Sequence, residues 1–451
     1  MNILFIFRRD LRLTDNTTLY EIKKTYPTAK ILPIFIFNKY QINPKINKYY
    51  SSNAVQFMFE SLEELSYINY YDTSNEIEVI EKLHNKYKFS VIAYNKDYTP
   101  YAKKRDMVIQ KWANINKINI ESHEDYTLHN MGEITKDDKK PYLKFTPFYK
   151  KSIIKKPRAI VNINYDNFIK DTNSHSFKEM EKLYKPKNNE LISVNGGRSN
   201  GLSILKTLAN GKFAKYDTER EYPYLDKTTK LSAYIKFGCI SIREVYYSLP
   251  LTHGIIRELF WHDFYAIISY YFPTVFEKSV NFKWDNNPDF YEKWKNGRTG
   301  FPLVDAAMRQ LNICGWMHNR CRMIVSNFFI KIMGCDWTIG EKYFSQNLVD
   351  CDFANNTNGW LWSCGNKKLS GFSFSLDSQP YFRLFNPWRQ AENYDSECVY
   401  IKKWIPELKD VPNKDILKWN ESYKLYKNVS YPKPMIEDIQ EEFKKTLKLI
   451  K

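Results

Sequence analysis

The alternation of short apolar runs with helix-like patterns over residues 1–130 limits the fold of this chain more than any other feature. Four runs, at 3–7, 31–37, 89–94 and 118–122, have the length and composition of buried strands. Between them, apolar residues follow the i, i+3, i+4 spacing of an amphipathic helix, as at Val55, Met58, Phe59, Leu62 and Leu65. Strands that alternate with helices indicate βαβ units, so we predict a Rossmann-like α/β domain with a parallel sheet over residues 1–130.

The rest of the chain has two further sequence patterns. Residues 131–195 are charged and irregular, which is typical of a linker between domains. From residue 196 to residue 451 the pattern is helical, with Gly and Pro between the helices and few strand-like runs. We therefore predict that a large all-α domain follows the linker.

Charge and cysteine usage limit the class of protein. The formal net charge of +17 favours a polyanionic partner such as nucleic acid. The seven Cys never form C-x-x-C and no His lies at zinc-finger spacing, which indicates reduced thiols, no metal site, and a cytoplasmic or nuclear protein. No stretch of 18 apolar residues occurs and the N-terminus has no secretion-signal pattern, so we expect neither a membrane span nor secretion.

Several isolated signals for chemistry are weak. The stretch "GGRSNG" (196–201) lacks the Lys of a phosphate loop and follows no strand, so a loop that enters a helix is the simpler interpretation. His318 and His262 could act as acid–base groups, but a lone His on a mixed helix is more often a hydrogen-bonding residue of the fold. No Ser/His/Asp or Cys/His arrangement stands out, so hydrolysis has little support.

Stronger signals lie in the helical half. The stretch "KTTKLS" (227–232) offers hydroxyls, a cation and backbone N–H groups at a helix start, which suits phosphate oxygens. Ordinary N-capping by Thr229 or Ser232 would explain the same residues. The stretch "GWMHNRCRM" (315–323) puts a Trp and two Met beside two Arg, a His and an Asn. Neither a solvated helix face nor a plain core needs that mixture.

Seven stretches together resemble the DNA photolyase and cryptochrome family, and within it the class I-type cyclobutane pyrimidine dimer photolyases. They are "FIFRRDLRLTDN", "NKDYTPYAKKRD", "KTTKLSAYIKFGCIS", "TGFPLVDAAMRQL", "GWMHNRCRMI", "NNTNGWLW" and "PYFRLFNPWRQ". Each is modest evidence alone, but they occur in the family's order and cover nearly the whole chain.

The resemblance implies an N-terminal antenna domain and a C-terminal all-α domain that binds FAD. It implies that blue light excites reduced FAD, which passes an electron to a pyrimidine dimer flipped out of UV-damaged DNA; the dimer splits and the electron returns. The expected function is therefore light-driven repair of cyclobutane pyrimidine dimers by a monomeric deoxyribodipyrimidine photo-lyase.

Matching positions give the expected site residues. The resemblance assigns FAD binding to Tyr216, Thr228, Thr229, Lys230, Leu231, Ser232, Arg322, Asp350, Cys351, Asp352 and Asn356, with Arg322 paired to Asp350 and Asn356 facing flavin N5. It assigns contacts with the lesion or the DNA to Arg220, Glu258, Trp261, Asn319, Arg320, Met323, Trp362 and Gln390. Of all these, Glu258, Asn319, Met323 and Asn356 are the expected catalytic residues, and Trp360, Trp337 and Trp284 match a chain that relays electrons from the surface to the flavin.

The sequence departs from the family pattern in three places. His262 and Asp263 stand where the family has Arg and Glu, which puts one contact near the phosphates in question. The stretch "GNKKLSGFSFSLDSQ" (365–379) is longer than the usual connection and could reshape the rim of the site. The stretch "YTPYAKKRD" lacks the Asn-Glu pair of folate-binding members and is similar to deazaflavin-type or antenna-poor relatives, so a second, antenna chromophore stays open.

Three alternative functions fit the sequence less well. Members that repair (6-4) photoproducts use a His pair for proton transfer, whereas here Met323 replaces the second His and leaves only His318, so we expect negligible (6-4) activity. A cryptochrome-type blue-light receptor is disfavoured by Asn356 and by the short stretch after "FNPWRQ". A flavin-free DNA-binding protein of the same fold is disfavoured by "KTTKLS" and by Asp350 and Asp352.

Overall fold

The first part of the chain forms one parallel sheet. The structure, a computed structural model, describes residues 1–162, 164–276, 283–365 and 377–450. The sheet has five strands in the order β3-β2-β1-β4-β5. They are β1 (Asn2–Phe7), β2 (Lys30–Asn38), β3 (Asn69–Thr73), β4 (Val91–Asn95) and β5 (Asn119–His123), paired in parallel throughout. The α/β prediction is confirmed, and the four apolar runs are strands.

Burial on both faces explains why the inner strands are apolar. Ile3 and Phe5 of β1 point into one hydrophobic cluster, while Leu4 and Ile6 point into another on the opposite face. The helices of this part are α1 (Thr17–Thr25), α2 (Lys39–Ile42), α3 (Ser52–Glu63), α4 (Glu76–Tyr87) and α5 (Pro100–Ile115). Helices α1 and α3 cover the first face, and α4 and α5 cover the second.

Residues 131–195, predicted to be an irregular linker, contain two helices. These are α6 (Phe145–Ser152) and α7 (Phe177–Tyr184), and α7 begins with a capping box between Ser176 and Glu179. The segment also touches the sheet domain, because Phe168 forms a bridge with Ile31. The segment is therefore packed structure, and its bounds as a separate linker remain a prediction.

The rest of the described chain is helical, as predicted. Its helices are α8 (Arg198–Ala209), α9 (Tyr216–Glu219), α10 (Ser232–Phe237), α11 (Ile242–Tyr247), α12 (Gly254–Tyr271), α13 (Pro288–Lys295), α14 (Pro302–Cys314), α15 (Asn319–Asn327), α16 (Trp337–Asn347), α17 (Phe353–Cys364), α18 (Pro387–Tyr394), α19 (Val399–Trp404), α20 (Asn413–Leu417), α21 (Trp419–Ser422) and α22 (Ile439–Ile450). A π-helical turn (Phe328–Ile332) extends α15, and short 3₁₀ turns lie at Pro223–Leu225, Pro273–Phe276, Pro406–Leu408 and Tyr423–Leu425.

A buried ion network joins the sheet domain to the helical domain. Arg243 of α11 donates to Asp15, which follows β1, through Nε at 2.8 Å and to Asp125 through Nη2 at 2.8 Å. Arg12 donates to Asp125 at 2.7 Å. Burial alone would raise the pKa of Asp125, but the Arg12 and Arg243 guanidiniums hold it well below its usual value. Both carboxylates are therefore charged and matched by cations from both domains.

The seven cysteines are buried and none is in a disulfide. None of the helices in the described residues has both the length and the apolar composition that a membrane span needs.

Candidate flavin and lesion site

Three helices of the second domain meet around the predicted site. Helices α12 and α15 both pack against α17. Helix α14 ends at Gly315, whose left-handed φ of +65° turns the chain, and α15 then begins at Asn319. His318 caps α15, because its Nδ1 accepts a hydrogen bond from the backbone N–H of Arg320 at 3.1 Å.

Arg322 points from α15 into the protein. Its Nη2 lies 3.0 and 2.9 Å from the two carboxylate oxygens of Asp350, and this ion pair is the one that the sequence predicted. The Ser232 hydroxyl donates to the same carboxylate at 2.7 Å. Since Arg322 also donates through Nε to the carbonyl oxygen of Met317, the guanidinium is held at two points. Together these contacts fix the start of α10 against the 348–352 segment.

The 226–231 loop contains a buried hydroxyl group, on Thr228, that has no hydrogen-bond partner among the described residues. Asp226 and Lys230 have left-handed φ values of 48° and 54°, and their side chains form an ion pair at 2.9 Å. Thr229 Oγ1 accepts from the N–H of Leu231 at 3.4 Å. Thr228 Oγ1 is buried and has no hydrogen-bond partner among the described residues. An orphaned buried hydroxyl beside the start of α10 suits a polar ligand group such as a phosphate oxygen. Simple N-capping is wrong for Ser232, because the cap position of α10 is Leu231 and no side chain caps it.

Asp352 faces the sheet domain. It caps α17 by accepting from the N–H of Asn355, and its other oxygen lies 2.5 Å from Nη2 of Arg9, which follows β1. Arg9 also lies 4.1 Å from the ring centroid of Tyr126. Burial would raise the pKa of Asp352, but Arg9 holds it well below its usual range. The neighbouring Cys351 is buried and donates its thiol to Ser345.

Asn356 has an orientation that its neighbours determine. Its Nδ2 donates to the carbonyl oxygen and the carboxylate of Glu341, both at 3.1 Å, and to the hydroxyl of Ser345 at 3.0 Å. Glu341 offers only acceptors at these positions, so the amide NH₂ must face α16. The Oδ1 of Asn356 is then the atom that faces away.

The predicted lesion and DNA residues lie on the three converging helices and near α9 and α18. Glu258, Trp261, Met323 and Trp362 are half-buried, and Asn319 is exposed. Arg220 forms an ion pair with Glu258, and Arg320 forms one with Glu221. The Arg320 guanidinium also lies 4.3 Å from the ring centroid of Tyr394. Arg220 lies 5.6 Å from the ring centroid of Tyr216, and Gln390 Oε1 is buried without a partner among the described residues.

The segments that carry the three predicted relay tryptophans contact one another. Trp360 is buried and meets the Phe344 ring edge-on at 5.0 Å, and the backbone of Gly340 lies so close that a Cβ there would come within 2.2 Å of the Trp360 ring. Trp337, one turn before Gly340 on α16, is fully buried. The segment after Trp284 is hydrogen-bonded to residues just before Trp337, from Asp285 N to Gly334 O at 3.0 Å.

The two histidines have different surroundings. His318 is buried, and that burial lowers its pKa to about 4. His262 packs edge-on against Tyr126 at 4.5 Å and lies 3.4 Å from Asp263. Asp263 in turn accepts from the N–H of Leu128 at 2.9 Å. The unusual His-Asp pair therefore faces the sheet domain.

Sequence reasoning missed several residues of this site. Arg9, Glu341 and Lys236 all contact predicted site residues or their neighbours. Lys236 is half-buried, its Nζ donates to the carbonyl oxygen of Val349 at 3.3 Å, and the loss of water around the ammonium lowers its pKa to about 8. The position of Arg9 just past the carboxyl end of a parallel strand was a usable signal, because ligands bind at that edge.

The predicted rim stretch 365–379 lies mostly outside the described residues. The "GGRSNG" loop enters α8, and the N–H groups of Gly196 and Gly197 bond to Glu60 and Ser61, so the simpler interpretation is confirmed.

Comparison with known proteins covers both halves of the chain. Residues 3–159 match the family model described as DNA photolyase, and residues 255–451 match that of the FAD binding domain of DNA photolyase. A deoxyribodipyrimidine photo-lyase of Buchnera aphidicola subsp. Acyrthosiphon pisum is 34% identical, with 99% of this chain and 96% of the relative covered.

Solved structures give the same result. An archaeal photolyase from Sulfolobus tokodaii with two FAD molecules has a TM-score of 0.86 and 33% identity, covering 100% of this chain and 99% of that one. A bacterial class III photolyase from Agrobacterium tumefaciens has a TM-score of 0.88 and 26% identity, covering 99% and 96%. The fold, the site and these matches over the full length agree, and the chain belongs to the DNA photolyase family.

Proposed function

We propose that this protein is a deoxyribodipyrimidine photo-lyase that uses blue light and reduced FAD to split cyclobutane pyrimidine dimers in UV-damaged DNA. The observation that carries the proposal is that one face of α15 holds residues of both expected sites. Asn319, Arg322 and Met323 stand at positions i, i+3 and i+4; Arg322 pairs with Asp350, while Asn319 is exposed and Met323 is half-buried, and α15 packs against α17. One helix thus borders the flavin-binding residues and the lesion-binding residues, which is what electron transfer between the two groups requires.

The residues present fit an FAD. Arg322, Asp350 and Ser232 form a fixed hydrogen-bonded unit, and Thr228 offers a buried hydroxyl with no partner among the described residues. Reduced FAD, when bound, supplies the light-driven electron that opens the dimer and takes it back afterwards. The protein binds, orients and excludes water from that group, and Asn356 contributes an amide oxygen. Because the Nδ2 of Asn356 donates its hydrogen bonds to Glu341 of α16, its Oδ1 is available to accept a hydrogen bond from a ring N–H.

The lesion-binding residues would work as a slot with charged edges. Trp261 and Trp362 offer stacking surfaces for flipped-out pyrimidines, Met323 packs against them, and Glu258 and Asn319 bond to their polar edges. Without DNA, Arg220 and Arg320 are paired with Glu258 and Glu221. A phosphate would compete for both arginines, which frees the Glu258 carboxylate to accept from a pyrimidine N–H.

Trp360, Trp337 and Trp284 would carry an electron inward when the flavin becomes oxidised. The close contact between Gly340 and Trp360 and the hydrogen bond from Asp285 to Gly334 support this order. The chain serves to keep the cofactor reduced, so it is separate from the repair step itself.

A second chromophore fits best at the carboxyl edge of the sheet between β1 and β4, where the strand order reverses. Arg8, after β1, lies 3.9 Å from the ring centroid of Tyr94. Among the described residues, Arg8 Nε and Arg105 Nη2 are buried without hydrogen-bond partners. Two buried guanidinium groups with free N–H suit an anionic, ring-containing group, and the Sulfolobus tokodaii relative holds two FAD molecules.

Dimer repair is favoured over (6-4) repair by the state of His318. Its pKa of about 4 keeps it neutral at neutral pH, and its Nδ1 is engaged in capping α15. A proton donor for a (6-4) lesion needs a protonated group within reach, whereas splitting a cyclobutane dimer needs no net proton transfer. Asn319 and Met323 suffice for the dimer.

The experiment is repair of two defined oligonucleotides, one per lesion, by pre-reduced protein under blue light. We expect the cyclobutane dimer to be restored and the (6-4) oligonucleotide to stay unchanged. An absorption spectrum of the purified protein provides the control for bound flavin. A protein that carries flavin but restores neither oligonucleotide would contradict the proposal and favour a blue-light receptor.

A further inference from the structure

One face of Trp261 is covered by a residue from the segment that the sequence suggested was a linker. Phe145 of α6 stacks on Trp261 with ring centroids 3.7 Å apart and an interplanar angle of 6°. Phe145 is only 1% exposed, whereas Trp261 is half-buried. The accessible surface of the indole therefore lies away from Phe145. The neighbours Phe264 and Tyr265 meet the indole at 84° and 46°, so they do not stack on either face.

Phe145 is held firmly in this position. Its backbone N–H donates to Asp377 Oδ2 at 2.7 Å, and α6 packs along α12. One turn later, Phe148 packs against Phe264, with ring centroids 5.5 Å apart. The guanidinium of Arg257 lies 5.5 Å from the centroid of Phe145. The Phe145 ring is thus fixed from several sides before any ligand arrives.

We propose that Phe145 is a positioning residue for lesion binding. It holds the Trp261 indole in one plane and closes one of its faces, so a flipped pyrimidine stacks only on the opposite face. A side chain that is already ordered loses less conformational entropy when it binds, which favours the lesion over undamaged DNA. The inference rests on the proposed function, because it takes Trp261 as part of the lesion slot.

The test compares dissociation constants in the dark for FAD-loaded protein. Each variant is measured against a cyclobutane-dimer oligonucleotide and an undamaged duplex of the same sequence. We expect Phe145→Leu to reduce the preference for the lesion about three- to tenfold, a part of the loss expected for a whole base stack. Phe145→Tyr keeps a flat ring and should retain the preference. Phe148→Leu is the matched control, because Phe148 lies on the same helix and is equally buried.

Stability is measured in parallel, since both leucine variants lose core packing. The inference is supported if Phe145→Leu and Phe148→Leu lose similar unfolding free energy but only the first loses lesion preference. It is overturned if both keep the preference, or if both lose it equally. Trp261→Ala distinguishes a failure of the positioning role from a failure of the proposed lesion slot. If Trp261→Ala lowers the preference for the lesion while Phe145→Leu does not, the lesion slot is supported and the positioning role of Phe145 is wrong. If Trp261→Ala has no effect, the slot itself is wrong.

Discussion

The amide nitrogen of Asn356 lies 3.1 Å from the carboxylate of Glu341, across the contact between α17 and α16. Glu341 is fully buried, so this amide is one of the donors that its oxygens require. The relationship fixes which end of Asn356 faces the side where the flavin is expected. It also ties the residue expected at flavin N5 to the helix that carries Trp337.

Asn356→Asp would replace that donor with an acceptor. Two carboxyl groups would then compete for one buried site, which raises the pKa of the new carboxyl above its unfolded value. The stability penalty should be absent at acidic pH and grow as pH rises above about 4, since only the protonated carboxyl can donate to Glu341. Urea unfolding at pH 5 and pH 8 measures it, with Asn356→Leu, which removes the amide without adding a titratable group, as the control. A penalty independent of pH would contradict the assigned amide orientation.

Trp337→Phe tests the electron relay. The substitution keeps an aromatic ring but removes an easily oxidised group, so photoreduction of oxidised FAD by external thiol should slow at least tenfold. Repair by chemically pre-reduced protein should stay near normal. Trp294→Phe is the control, because Trp294 is equally buried but is not expected in the relay. Unchanged photoreduction in Trp337→Phe would remove this tryptophan from the relay.

Arg322→Met tests the flavin-binding unit. The variant leaves the Asp350 carboxylate, whose side chain is 3% exposed, without its cation. Losing a charge-assisted hydrogen bond costs about 1.5–3 kcal/mol, so FAD should be retained about 10- to 100-fold less tightly. Equilibrium dialysis of FAD measures this. Arg309→Met, which breaks the ion pair with Glu407 at 2.8 Å, should leave FAD affinity unchanged. Equal losses in the two variants would point to general destabilisation.

Trp261→Ala tests the stacking surface. Affinity for lesion DNA should fall by about 1–3 kcal/mol, the cost of a lost base–aromatic stack. Affinity for undamaged duplex should barely change, because phosphate contacts dominate there. Fluorescence anisotropy with both oligonucleotides measures the two affinities. Equal loss for both would make Trp261 a residue of the fold and not of the lesion slot.

His318→Asn tests the buried imidazole. The histidine is neutral in the fold, with a pKa of about 4, and protonates near its usual value of 6.5 when unfolded. Below pH 6.5 the unfolded state therefore binds more protons, and stability falls until about pH 4. The wild type should lose about 2–3 kcal/mol more than the variant between pH 7 and pH 4, at about 1.4 kcal/mol per pKa unit. Asparagine can still cap α15, so parallel pH curves would contradict the assignment.

The fold was predictable where one physical signal dominates. Buried parallel strands must be apolar on both faces, so β1, β2 and β4 stood out from composition alone. Strand β3 did not, because "NYYDT" at the sheet edge has only two apolar rings and resembles a polar loop. Helix α6 was missed because the surrounding lysines hide the apolar pair Phe145 and Phe148.

The site was predictable only through the ordered family motifs. Residue spacing brings Asn319, Arg322 and Met323 to one helix, and the structure adds that Arg322 is held by Asp350. Contacts between distant segments left no local signal: Arg9 and Asp352 are 343 positions apart. Nothing in the residues around Glu341 indicates that its carboxylate will accept from Asn356, because the contact depends on how α16 and α17 pack.

The buried network between the domains has a consequence for how the protein is made. The ribosome completes Asp15 a full 228 positions before Arg243, its main cation in the finished molecule. Until α11 leaves the exit tunnel, Asp15 has Arg158 beside it but lacks the guanidinium that is fully buried against it in the finished molecule. We expect water to hydrate the side of the Asp15 carboxylate that Arg243 later covers. The two domains then dock only after Arg243 is synthesised, so the order of translation is built into the interface.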